Sequence, residues 1–125
     1  MPDILVDACG WVAVIDAGIN IDYSLNRIFG NYKFLLLPNV KNELKLIDKE
    51  RSPHQPLLLD LLFQKAKEIS PVDESSKHTD EQLLLYSEKN NTPVLTVDRF
   101  LKNRLHELNL SVLQVTGNNR LELVE

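Results

Sequence analysis

The sequence is short of the residues from which several kinds of site are built. Cys9 is the only cysteine among 125 residues. One thiol excludes an internal disulfide framework and a cysteine-rich zinc site. No run of about 18 apolar residues occurs, so no membrane-spanning helix is expected. The opening Met-Pro-Asp-Ile-Leu-Val has no basic residue ahead of its apolar ones and lacks the form of a signal peptide. Basic residues are outnumbered, with 14 Lys and Arg against 18 Asp and Glu, a formal charge of −4. That balance excludes binding of nucleic acid through bulk positive charge and leaves only a local basic patch. Neither a GxGxxG nor a P-loop is present, so the common nucleotide cradles are not indicated. His54, His78 and His106 have no metal-site spacing. The expectation is a soluble, cytoplasmic protein forming one domain over residues 1–125, a length that buries roughly two-thirds of the surface of its unfolded chain.

What is present is an alternation of short apolar runs and helical patterns. Ile4-Leu5-Val6, Phe34 to Leu37, Val94 to Val97 and Val112 to Val115 fit buried strands, and Leu121 to Val124 fits a short edge strand. Between them, Trp11 to Ala17 is apolar nearly all round. Ile21, Leu25, Ile28 and Phe29 follow helical spacing, as do Leu58, Leu62, Ala66 and Ile69, while Leu101, Leu105 and Leu108 mark a helix over Arg99 to Leu108. The polar stretches Asp48 to Pro56 and Ser70 to Lys77 read as loops. Trp11 and Tyr23 read as core residues. The pattern predicts an α/β fold with a mainly parallel sheet, in which ligands sit beyond the C-terminal strand ends.

Four carboxylates stand out by position. Asp7 follows the first apolar run directly, and Asp98 follows Val94 to Val97 and opens the last long helix. If those strands are parallel neighbours, both acids emerge at one sheet edge. Glu43 occupies a core-facing place in the series Val40, Glu43, Leu44, Ile47, and Asp80 does the same ahead of Leu83 and Leu84. Inward acids without partners are costly, and several together repel unless a cation lies between them. Oxygen donors of this kind suit Mg²⁺ or Mn²⁺. Each acid also has an ordinary explanation. Asp7 and Asp98 fit helix N-caps, Thr79 and Gln82 have capping-box spacing that would make Asp80 and Glu81 first-turn acids, and Glu43 fits a boundary position. Cys9 reads as a small buried residue rather than a nucleophile.

The segments Ile4-Leu5-Val6-Asp7, Leu37 to Leu44, His78 to Leu84 and Val94 to Leu105 resemble those of PIN-domain ribonucleases in order and spacing over almost the whole chain. The last, with its apolar strand, Thr96, Asp98 and a basic leucine-bearing helix, is similar to small prokaryotic PIN proteins of the VapC toxin type and to PIN nucleases of ribosomal RNA maturation. The resemblance implies a three-layer α/β/α sandwich with a central, mainly parallel sheet, frequent homodimers, and Mg²⁺- or Mn²⁺-dependent hydrolysis of RNA phosphodiesters leaving 5′-phosphate and 3′-hydroxyl ends. It assigns the catalytic and metal-binding acids to Asp7, Glu43, Asp80 and Asp98, with Glu81 as an accessory acid and Thr96 as the hydroxyl that orients ligands. It also implies an antitoxin or ribosome-associated partner. Where the family usually carries Asp, a small residue and Asn, this chain has Asp7-Ala8-Cys9, so the amide donor is missing.

RNA reaching an acidic site needs nearby cations. Arg99 and Lys102, beside Asp98, are the foremost candidates for RNA contacts, followed by Arg104, Lys45, Lys49 and Arg51. A catalytically silent PIN-like module binding RNA or protein is the alternative. A phosphoryl-transfer enzyme with Asp7 as nucleophile finds little support, because no second acid adjoins Asp7 and no lysine follows the Val112 strand.

Overall fold

Strand segments such as Ile4-Leu5-Val6 are apolar on both faces, so they are stable only where both faces are covered. The computed structural model, which describes residues 2–125, provides that cover. In chain order the elements are β1 (Asp3–Val6), α1 (Ala8–Asp16), α2 (Ile21–Phe29), β2 (Lys33–Leu36), α3 (Pro38–Glu50), α4 (Leu59–Lys65), β3 (Ala66–Glu68), α5 (Thr79–Asn90), β4 (Val94–Leu95), α6 (Arg99–Glu107), β5 (Val112–Val115) and β6 (Leu121–Val124). The strands form one sheet in the order β3-β2-β1-β4-β5-β6. Neighbouring pairs from β3 to β5 are parallel, and only β6 runs antiparallel, against β5. Six helices flank the sheet in a three-layer α/β/α sandwich. None of the described helices is long and apolar enough to cross a membrane.

The topology decides where a site can form. From β1 the chain builds outward through β2 and β3, then returns to place β4 on the other side of β1 and continues outward to β6. The order therefore reverses between β1 and β4, and the crevice at the C-terminal ends of such a strand pair is the usual ligand position in parallel sheets.

Two packing features hold α1 over this crevice. A side chain at Gly10 would place its Cβ 2.3 Å from the Leu95 carbonyl oxygen, so only glycine lets the first turn of α1 lie directly on β4. The next residue, Trp11, is wholly buried and its indole Nε1 donates to the Leu57 carbonyl at 2.8 Å, so the largest side chain of the core leaves no polar group unsatisfied. Its ring meets Phe34 of β2 edge-on, with centroids 6.0 Å apart.

The structure departs from the sequence reading at five places. The helical series Leu58, Leu62, Ala66, Ile69 does not form one helix: α4 ends at Lys65 and the chain turns into edge strand β3. α3 runs through Asp48 to Glu50, and the Asp48 side chain accepts from the Leu57 N–H at 2.9 Å, tying down the loop that follows. β4 is confined to Val94–Leu95, although the Thr96 N–H still donates to the Leu113 carbonyl at 3.1 Å. Tyr23 is 66% exposed rather than core, because it lies off the Ile21–Leu25 face of α2. Finally, Thr79 and Gln82 form no capping box. α5 begins at Thr79 with His78 as N-cap, the Thr79 hydroxyl binds Glu43, and the Gln82 amide donates to the Ser76 carbonyl.

Candidate active site

Asp7 is the first residue after β1 and the N-cap of α1. Its Oδ1 accepts from the Ala8 N–H at 2.8 Å, and its Oδ2 accepts from the Thr96 hydroxyl at 2.7 Å and the Cys9 thiol at 3.2 Å. Only 5% of the residue is exposed. Burial pushes its carboxyl pKa above the usual range, and the charge of Asp80 adds to that rise, against the lowering effect of the hydrogen bonds from Thr96, Cys9 and Ala8.

Asp98 sits across the crevice, beyond β4 and at the N-cap of α6, where its Oδ1 accepts from the Leu101 N–H at 2.9 Å. Its own backbone N–H donates to the Thr96 hydroxyl at 3.1 Å. Thr96 is thus fully buried between the two strand-end acids, donating to one and accepting from the other's backbone. The N-cap explanation and the site explanation hold together here: capping occupies one carboxylate oxygen of each acid, Oδ1 in both.

The helix acids approach from the same end. Asp80 lies in the first turn of α5 and is half-buried. Burial raises its pKa most, followed by the charges of Asp98 and Glu43, while Arg104 opposes them. Glu43, on α3 and half-buried, accepts from the Thr79 hydroxyl at 2.5 Å, which turns its carboxylate toward the start of α5. Asp80 therefore feels Asp7, Glu43 and Asp98, the acids of three other elements. Glu81, its neighbour, is drawn aside by a 3.1 Å ion pair with Arg104.

A family model described as "PIN like domain" matches residues 4–118. The chain belongs to the PIN-like domain family. It is 30% identical over 127 residues to Ribonuclease VapC4 of Methanocaldococcus jannaschii, across 98% of this chain and 97% of that protein. Among solved structures it is similar to the PIN domain endonuclease Utp24, with a TM-score of 0.75 at 14% identity over 96% of this chain and 90% of that one. It is also similar to Mycobacterium tuberculosis VapC20, a sarcin-ricin loop cleaving toxin, with a TM-score of 0.53 at 12% identity over 80% of this chain and 93% of the other. At those identities the structural likeness is one of fold.

Within this PIN-like chain the donor set fits a hard divalent cation. It is made of carboxylate oxygens whose mutual repulsion a positive charge would relieve. Among the described residues no three acidic, imidazole or thiol side chains stand close enough to hold one ion as they are, so the acids are neighbours rather than a closed chelate. Thr79 binds Glu43 and Thr96 binds Asp7 through their hydroxyls.

The departure at Cys9 has a structural answer. Its half-buried thiol donates to Asp7 and lies 3.4 Å from the Thr96 hydroxyl. Burial and the Asp7 charge push the thiol pKa up, keeping the proton on sulfur as a donor rather than making a nucleophile.

The basic residues divide in two. Arg99, Lys45 and Lys49 are exposed. Lys102 donates to Gln114 at 3.0 Å, Arg104 pairs with Glu81, and Arg51 pairs with Asp16 at 2.6 Å. One residue of this region that the sequence reading passed over is Phe100, which is 67% exposed two positions beyond Asp98. It lies off the Leu101–Leu105 stripe of α6, the signal that could have singled it out.

Proposed function

We propose that this PIN-like protein is a Mg²⁺- or Mn²⁺-dependent ribonuclease that hydrolyses RNA phosphodiester bonds at the crevice between β1 and β4. The observation that supports the reading is that Asp80 lies within electrostatic reach of Asp7, Glu43 and Asp98, beside the crevice where the strand order reverses between β1 and β4. The name of the Methanocaldococcus relative, a ribonuclease matched nearly end to end, supports RNA as substrate.

Asp7, Asp80 and Asp98 would hold the metal, with Glu43 contributing at the rim. A bound divalent cation supplies Lewis acidity toward the phosphate and eases ionisation of water near neutral pH. The protein's own groups supply position. Thr96 fixes Asp7 and the Asp98 backbone relative to each other. Glu43, held by Thr79, would orient the attacking water and take its proton. Arg99 and Lys102 offer positive charge to the flanking phosphates, offsetting an otherwise acidic surface. No protein nucleophile is required, and in-line attack by water with the 3′-oxygen leaving gives 5′-phosphate and 3′-hydroxyl ends. The same reading carries a cytoplasmic homodimer acting with an antitoxin or a ribosome-associated partner.

The deciding experiment is cleavage of labelled RNA by the purified protein. Activity should require Mn²⁺ or Mg²⁺ and be lost in Asp7→Asn and in Asp98→Asn. Cleavage that persists in EDTA, or in both variants, overturns the reading.

A further inference from the structure

We propose that the hollow between α2 and the β5–β6 turn is a phosphate subsite, where Arg27 and Arg120 together hold a backbone phosphate of the RNA away from the cleaved bond. The inference rests on the ribonuclease reading and extends the substrate contact beyond the acidic crevice. α2 packs against β6. Along this helix Asn20, Ser24 and Arg27 follow one another at helical spacing, off the buried stripe of Ile21 and Leu25. With Asn119 and Arg120 of the turn they line a hollow of about 350 Å³. A second hollow of about 340 Å³ adjoins it and shares Arg27 and Arg120. The turn is firm, because the Thr116 N–H donates to the Arg120 carbonyl at 2.8 Å and the Asn119 N–H donates to the Thr116 carbonyl at 3.0 Å.

The chemistry of the hollow is that of an anion site. In a chain with 18 acids, Arg51 and Arg104 each find a carboxylate, whereas Arg27 and Arg120, both exposed, form no ion pair among the described residues. No carboxylate lines the first hollow, and Glu122, which lines the second, pairs with neither arginine. Two guanidinium groups on one hollow repel each other until an anion lies between them, and their planar forks match the oxygens of a phosphate. Ser24 adds a hydroxyl. Asn20 adds its amide N–H groups, since its side-chain oxygen is taken by the Tyr23 N–H at 3.1 Å.

The topology relates this hollow to the crevice. β1, β4 and β5 are parallel, so the turn that follows β5 emerges at the sheet edge where Asp7 follows β1. Only β4 lies between them, a separation of two strand spacings or roughly 10 Å. That is the length of about three phosphates along a stacked strand. A nucleic acid lying across the crevice can therefore reach the hollow, which favours its backbone over an acidic protein segment as the occupant. The contact is to phosphate alone and carries no preference for base or pairing.

The test uses the full chain as wild type, Arg27→Gln, Arg120→Gln and Arg120→Lys, with Lys89→Gln as a control that loses the same charge on α5 ahead of β4. Binding of labelled RNA is measured with Ca²⁺ in place of Mn²⁺ over a range of salt, and cleavage with Mn²⁺. Each Arg→Gln change should weaken binding roughly fivefold at low salt and lower the slope of log affinity against log salt by about 0.7 to 1. KM should rise similarly with little change in kcat, and Tm should stay that of wild type because both side chains are exposed. Arg120→Lys should restore the slope and only part of the affinity, since the fork is lost. In RNAs carrying one neutral methylphosphonate linkage, a linkage about three phosphates from the cleaved bond should weaken wild-type binding and have no further effect on either Arg→Gln variant.

Wild-type affinity in both Arg→Gln variants, a loss no larger than that of Lys89→Gln, or a methylphosphonate effect that persists in the variants overturns the inference, while continued cleavage leaves the ribonuclease reading intact. Inorganic phosphate that raises the Tm of wild type but not of the variants, with RNA binding unchanged among them, overturns it in favour of a free anion. Wild-type protein that neither binds nor cuts RNA defeats the inference and the ribonuclease reading together.

Discussion

The Thr96 hydroxyl donates to Asp7 Oδ2 at 2.7 Å across neighbouring strands, and its oxygen accepts from the Asp98 backbone N–H at 3.1 Å. One buried hydroxyl thus sets the spacing of the two acids that end β1 and follow β4. Thr96→Val keeps the shape and removes both bonds, leaving Asp7 one donor fewer and the Asp98 N–H unpaired. A loss of about 1–3 kcal/mol in stability is expected, read from urea unfolding. Cleavage should fall by a larger factor than this loss implies, because acids set at the wrong separation cannot share a cation. Thr96→Ser restores the hydroxyl and should recover most of the activity. Equal activity in the Val and Ser variants would remove Thr96 from the site.

Asp7 carries a stability cost that pH should reveal. Its pKa is raised in the folded protein, chiefly by burial and further by Asp80. A carboxyl raised on folding keeps its proton longer in the native state than in the unfolded chain. Its contribution is therefore fully present below the unfolded pKa, near 3.9, and is lost as pH rises through the higher folded value. At neutral pH the ionised form is strained. Asp7→Asn keeps an oxygen for the Ala8 N–H and removes the charge, so it should be inactive yet melt a few degrees higher than wild type at pH 7 in metal-free buffer. The difference should shrink toward pH 4. A variant that melts lower than wild type at pH 7 contradicts the assignment of burial as the dominant effect.

Divalent metal should stabilise the protein for the same reason. Burial and then the charges of Asp98 and Glu43 raise the pKa of Asp80, and a bound cation offsets that cost. Mn²⁺ at about 100 times its dissociation constant should add roughly 2.7 kcal/mol, visible as a rise in Tm that EDTA reverses. Asp80→Asn should lose most of that increment while starting from a higher metal-free Tm. No shift with millimolar Mn²⁺ would count against the metal site.

The parts of this molecule legible in the sequence were those fixed by local chemistry. The runs around Val6 and Leu36 have no polar residue to offer solvent, so they are strands between covering layers. Asp7 is read correctly as a strand-end acid because it directly follows such a run, whereas Asp98 stands three residues beyond the shorter β4. The edge of the sheet was harder. Ala66 and Ile69 continue the phase set by Leu58 and Leu62, so periodicity cannot report that the chain leaves α4 and pairs with β2 as polar edge strand β3. At Thr79 two partners competed, and only the tertiary structure shows the hydroxyl given to Glu43 rather than to its own helix end.

Gly10 links the core to the site and gives a sharp mutational outcome. An added Cβ would meet the Leu95 carbonyl oxygen at 2.3 Å and its carbon at 2.6 Å. Both are backbone atoms of β4, paired on either side with β1 and β5, so neither can yield without disturbing the sheet. Gly10→Ala should therefore cost at least the usual 1–3 kcal/mol of an overpacked core, despite the better helix propensity of alanine. The urea midpoint should drop with m unchanged. Because the strain is relieved by lifting the first turn of α1 off β4, it also draws Asp7 away from Thr96, and cleavage should fall in protein that is still folded. Gly117→Ala, where the added atom meets nothing within 4 Å, is the matched control and should be neutral on both measures.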